Sequence, residues 1–86
     1  MDSELQQNIR AKIIHLGQAR GLKIANLDND VILLAAGLLD SASVLELVVW
    51  LETKLDSEID LGALTIENFG SVNRMVDFLS AQQRAS

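Results

Sequence analysis

The stretch from Leu38 to Glu52, LLDSASVLELVVWLE, decides how this chain folds. An acid and a hydroxyl, Asp40 and Ser41, stand directly before a run in which Val44, Leu47, Val48, Leu51 and then Leu55 recur at helical spacing. At 3.6 residues per turn these side chains form one stripe, so the spacing predicts an amphipathic helix from Ser41 to about Asp56. Asp and Ser are favoured at such a start because their side-chain oxygens accept hydrogen bonds from first-turn amides that have no partner inside the helix. Fully buried, each aliphatic of the stripe contributes about 1.5–3 kcal/mol, which makes this helix the largest single element of the expected core.

Working outward, the same spacing recurs twice. Leu5, Ile9, Ile13 and Leu16 follow one another in steps of four, four and three, with Ser3 placed to cap and Gly17 or Gly21 placed to end the helix. Val72, Met75, Val76 and Leu79 follow the break at Gly70-Ser71. In the intervening SEIDLGALTIENFG, Thr65 is placed to start a short helical turn carrying Ile66 and Phe69 inward. The apolar residues Val31 to Leu34 have no second strand candidate to pair with, and an isolated strand is not stable. The segment GLKIANLDNDVILLAAGLL is therefore read as a long ordered loop whose apolar side chains pack on the helices.

The expected fold is all-α: one domain spanning residues 1–86, a small bundle of three main helices plus one short helix, with a long first loop. Residues 80–86 are expected to form a frayed tail.

Composition narrows the function. The chain has 86 residues, 49% of them hydrophobic, which suits one small core and leaves little room for a deep catalytic pocket. It has no cysteine, so any thiol chemistry has to be imported. A net charge of −5 with seven scattered basic residues disfavours nucleic acid as a partner and suits steering toward basic patches on other proteins. The longest apolar run, Val31 to Leu39, is too short to cross a bilayer, and the opening MDSELQQNIR is acidic rather than a basic signal region. No transmembrane segment and a cytoplasmic location are expected.

Among candidate sites, the corner at Asp40-Ser41 stands first. Leu38 and Leu39 bring an apolar connection up to it and would hold Ser41 at a fixed, exposed position. A helix N-terminus favours an anion, whereas the Asp40 carboxylate would repel a phosphodiester carried on Ser41, an effect its capping bond partly offsets. On the expected helix, Leu45 and Val49 fall on a flank beside the core stripe with Glu52 near them. They form a docking patch if exposed and ordinary packing if a connection covers them. Trp50 lies on the other flank, either packed against the short helix or exposed as an anchor. His15, the single histidine, lacks the motif of a hydrolytic triad and reads as a surface residue. Asp28 and Asp30 lack further ligands at calcium-loop spacing, and Ser43 lies inside the first turn.

LLAAGLLDSASVLELVVWLE, Leu33 to Glu52, resembles the phosphopantetheine attachment region of acyl and peptidyl carrier proteins, in which an Asp-Ser pair begins the second helix and Val/Leu-Glu-Leu follows. The resemblance extends through the opening helix, the loop LDNDVILLAAG and the closing IDLGALTIENFGSVNRMVDFL. It implies that Ser41 receives 4′-phosphopantetheine from coenzyme A, that Asp40 is the acid before it, and that Leu45, Glu46, Val49 and Glu52 serve partner recognition. It further implies a phosphoprotein that is not itself an enzyme, holding an acyl or aminoacyl group as a thioester. Its partners would be a phosphopantetheinyl transferase, an acyl- or amino-acid-activating ligase and a downstream transferase. Fatty-acid carriers usually place Gly two positions before the Asp and carry more acids on the second helix; here Gly37 is three positions before Asp40, with Ser43 and Thr53 at positions that tend to be acidic. The GLLDS form is closer to stand-alone D-alanyl and amino-acid carriers, so the expected cargo is an amino acid or a specialised acyl group. The alternative is a helical interaction module without a covalent cofactor, gripping a partner helix with Leu45, Val49 and Trp50.

Overall fold

The computed structural model describes residues 3–24 and 26–85, without the side chains of residues 3, 84 and 85. The expected capping by Ser3 and the final residue of the expected tail therefore lie outside what is described.

Among the described residues four α-helices follow in order, α1 (Ser3–Ala19), α2 (Ser41–Leu55), α3 (Ile66–Phe69) and α4 (Val72–Ala85), with a single 3-10 turn at Leu61–Ala63. No strand occurs among the described residues, and the all-α bundle of three long helices and one short one is the fold the periodicity predicts. Helix α1 packs against both α2 and α4, and α3 packs on α4.

The three stripes meet as read. Leu5, Ile9, Ile13 and Leu16 of α1, Leu47, Val48 and Leu51 of α2, and Val72, Met75, Val76 and Leu79 of α4 are all buried in one cluster. Val44 and Leu55, expected in the α2 stripe, are only partly buried and pack at its margins. Leu27, Leu33 and Leu39 of the long loop, together with Ile59, complete the core, so the loop is ordered because it contributes apolar side chains of its own.

Helix ends show how the chain turns. Beyond α1, the Gly21 N–H donates to the Gln18 carbonyl and the Leu22 N–H to the Gly17 carbonyl, with Gly21 at φ +86. This pairing satisfies the last carbonyls of the helix and requires a left-handed residue at the position Gly21 occupies. The loop repeats the device: Gly37, at φ +77, donates to Leu34, and Leu38 donates back to Leu33.

One expectation is corrected. Thr65 does cap α3, accepting from the Asn68 N–H at 3.2 Å, and Phe69 is buried, but Ile66 is 56% exposed. A four-residue helix has room for one inward anchor, and Phe69, stacked at a tilt on Phe78 with ring centroids 5.3 Å apart, takes that place. Residues 80–85 of the expected tail continue α4, which runs to Ala85. Gln82 ties it down by donating from Nε2 to the Ser57 hydroxyl and the Glu58 carbonyl.

Candidate functional site: the corner at the start of α2

Leu33 is buried and its N–H donates to the Gly70 carbonyl at 2.8 Å, while the Asn73 N–H donates to the Asn29 carbonyl at 3.0 Å. Arg10 reaches from α1 to the Leu27 carbonyl and the Asn29 side chain. Asp30 accepts from the Asn73 side-chain amide, and Asp28 accepts from the Asp30 N–H, so these two acids tie the loop down. Held by α1 and α4, the loop turns at Gly37, buries Leu39 and delivers Asp40 to the start of α2.

Asp40, and not Ser41, is the capping residue. Its extended backbone (φ −119, ψ −179) leaves Oδ1 to accept the Ser43 N–H at 2.8 Å. The Ser43 N–H, aided by the Ser43 hydroxyl, holds the Asp40 carboxyl below its ordinary value of 3.8; desolvation opposes this, and Arg20 adds a lesser lowering effect. Arg20 lies just beyond α1, with Nε 3.5 Å from Asp40 Oδ2 and Nη1 donating to the Leu38 carbonyl at 3.3 Å. This guanidinium is the residue that sequence reasoning missed. No spacing rule connects it to Asp40, because only the closure of the long loop brings the two together.

With Asp40 doing the capping, Ser41 is the first helical residue, exposed, and its hydroxyl enters no hydrogen bond among the described residues. Ser43, by contrast, is buried. The corner therefore offers one exposed hydroxyl on a rigid helix start, next to an ionised carboxylate.

Below Ser41, Leu45 is 52% and Val49 61% exposed, and no connection covers either. Glu46 is exposed beside them, and Lys12, Leu45, Glu46, Val49 and Trp50 line an open groove on the α1 side. Trp50 is half-buried against the core and lies between two lysines, with Lys12 Nζ 5.8 Å and Lys54 Nζ 5.7 Å from its ring. It packs on the α1 side rather than on the short helix. Glu52 is half-buried and turned inward: its Oε2 accepts the Ile59 N–H at 2.7 Å.

On the opposite side of α2, Leu34, Val44, Leu64 and Phe69 line a small cleft of about 90 Å³. Sites that enclose a small organic ligand usually run to about 300–1,000 Å³, so this cleft is well below that size. No group of three or more His, Cys, Asp or Glu is placed to hold a metal among the described residues, and His15 is exposed on α1.

Residues 17–79 match the family model described as the phosphopantetheine attachment site, which covers most of the chain and includes the whole corner. The chain belongs to this family: it is a carrier protein whose prosthetic group is covalently bound 4′-phosphopantetheine. Carrier domains of the family are not catalytic and work through partner enzymes, such as the transferase that loads them and synthetases. No curated protein matches the chain. Membership disfavours the alternative of an interaction module without a covalent cofactor. No helix among the described residues is long and apolar enough to cross a membrane.

The residues present suit the group. An attachment residue needs an accessible hydroxyl, and Ser41 has one that no internal bond engages. When bound, phosphopantetheine supplies a flexible arm ending in a thiol that forms thioesters, which this cysteine-free chain cannot supply itself.

Proposed function

We propose that Ser41 is the attachment residue and that the chain carries an amino acid or a specialised acyl group between partner enzymes. The observation that carries this reading is the exposed, unengaged Ser41 hydroxyl inside the family match, one residue after an aspartate that has taken over the capping role. In loading, the Ser41 oxygen forms a bond to the phosphorus that bears the pantetheine. The pyrophosphate bond of coenzyme A breaks, adenosine bisphosphate leaves with the electron pair, and the hydroxyl proton passes to a base of the transferase. The rigid first turn of α2 fixes the oxygen for that attack, which lowers the entropic cost of alignment.

Leu45, Glu46 and Val49 form the docking strip in this reading. Two exposed aliphatics rimmed by an acid suit a partner surface with an apolar contact beside a basic residue. Glu52 contributes through its hold on Ile59, which shapes the end of the strip. The GLLDS form favours the stand-alone D-alanyl and amino-acid carriers, so the partners are a transferase from coenzyme A, a separate activating ligase and a downstream transferase, in the cytoplasm.

The test is the intact mass of the purified chain before and after incubation with coenzyme A and a promiscuous phosphopantetheinyl transferase. A gain of one phosphopantetheinyl group in the parent and none in Ser41→Ala is expected. A gain that survives Ser41→Ala overturns the assignment. Incubating the loaded chain with activating ligases for amino acids and for fatty acids then distinguishes the cargo.

A further inference from the structure

We infer that Arg20 is a positioning residue that lets Ser41 carry a phosphodiester beside the Asp40 carboxylate, an inference that rests on Ser41 being the attachment residue. Adjacent Cα atoms are about 3.8 Å apart, so a phosphodiester on Ser41 stands on the residue next to Asp40, within about one Debye length of its carboxylate. Loading thus places a second negative charge beside a carboxylate that is already ionised.

The positive end of α2 is partly used before loading. The Ser43 N–H is engaged by the Asp40 carboxylate, while the Val44 N–H makes the ordinary first helical bond to the Asp40 carbonyl. Asp40 therefore consumes one helix-end donor that would otherwise be free for an anion on Ser41. Arg20 is the cation that compensates, and it forms the one ion pair found among the described residues.

Its placement suits that role. Arg20 follows the last turn of α1, where its own N–H donates to the Gly17 carbonyl, so its backbone is fixed. Of the five donors on its guanidinium, one faces Asp40 and one reaches Leu38, which leaves others for a second anion at the same corner. A planar guanidinium bridges two oxyanions in a way a single ammonium does less well. Arg20 holds the chain on both sides of the bend, through Leu38 before it and Asp40 at it, so it opposes the splaying that two like charges would cause.

The experiment compares the parent, Arg20→Gln and Arg20→Lys, each in the unloaded form and in the form loaded with coenzyme A and a promiscuous transferase, by urea unfolding at low and high salt. Intact mass is read first. On loading, Arg20→Gln is expected to lose about two- to fivefold more of its folding equilibrium constant than the parent, the scale of one exposed ion pair. The extra loss should shrink at high salt, where the two anions are screened, and Arg20→Lys should recover only part of it. A purely structural Arg20 would weaken both forms equally, so an equal effect in a chain that does gain mass overturns this role and leaves the attachment reading standing. No mass gain in the folded parent overturns both.

Discussion

The Glu52 carboxylate accepts a hydrogen bond from the Ile59 N–H at 2.7 Å, joining the last turns of α2 to the segment that leaves it. Between them the chain reverses at Asp56, which is left-handed at φ 50, while the Ser57 N–H returns to the Glu52 carbonyl. Glu52 thus holds both partners of the turn, one with its backbone and one with its side chain, and Ile59 is thereby delivered into the core. A carboxylate read from the sequence as part of a recognition surface also serves as a clamp. Glu52→Ala is expected to lower stability by about 1.5–3 kcal/mol, the range for a hydrogen bond to a charged group, measured by urea unfolding. A change below about 0.5 kcal/mol would show that the turn holds without it.

The α2 stripe makes a prediction of a different size. Leu47 is fully buried at the centre of the bundle, so Leu47→Ala removes transfer energy and leaves a cavity. A loss of about 2–5 kcal/mol is expected, which for a domain this small is a large part of the total. Far-ultraviolet circular dichroism with urea titration measures it.

Asp40 gives the corner a pH signature. Its folded-state value lies below the ordinary 3.8, so the stabilisation from its charge is complete above the unfolded value and is lost as pH falls through the lowered folded one. Asp40→Asn keeps a good cap but removes the charge. The stability difference between parent and variant is expected to be constant from neutral pH down to mild acid and to vanish below the lowered value. A difference that grows as pH falls would contradict the charge effect.

Gly37 and Gly70 are constrained in distinct ways. Gly37 is left-handed with open space around it, so Gly37→Ala meets only backbone strain, about 1–2 kcal/mol. At Gly70, φ is ordinary, but a Cβ would stand 2.3 Å from the Ile66 carbonyl oxygen. Gly70→Ala is expected to distort the single turn of α3 that Gly70 caps and to cost about 1–3 kcal/mol or more. Thermal melts of the two variants against the parent check both.

Leu45→Glu and Val49→Glu should leave stability within about 0.5 kcal/mol, because both positions are exposed. Loading by the transferase is nevertheless expected to slow if the proposed docking strip meets that enzyme. Rates of mass gain, read beside the melts, test this; unchanged rates would remove the strip from the recognition surface.

The helices, their buried stripes and the Asp40-Ser41 corner were legible because each depends on local spacing or on capping chemistry. What escaped reading depends on closure of the fold. Arg20 meets Asp40 across the whole loop, and Ile66 points outward because Phe69 fills the space the two would share. Glu52 lies where the helical wheel places it, yet its partner comes from the following loop and no periodicity reveals the bond. Gln82, within the expected tail, bonds to the turn after α2, a contact that composition does not reveal.

The backbone bonds from Leu33 to Gly70 and from Asn73 to Asn29 pin the first loop to the junction of the last two helices. Both ties come from residues that are joined to the chain well after Ser41. A nascent chain ending before about residue 73 therefore lacks the ties that set the Ser41 corner, although the serine itself has long been made. The shape of the Ser41 corner is thus set as much by residues that follow it in the chain as by those that precede it.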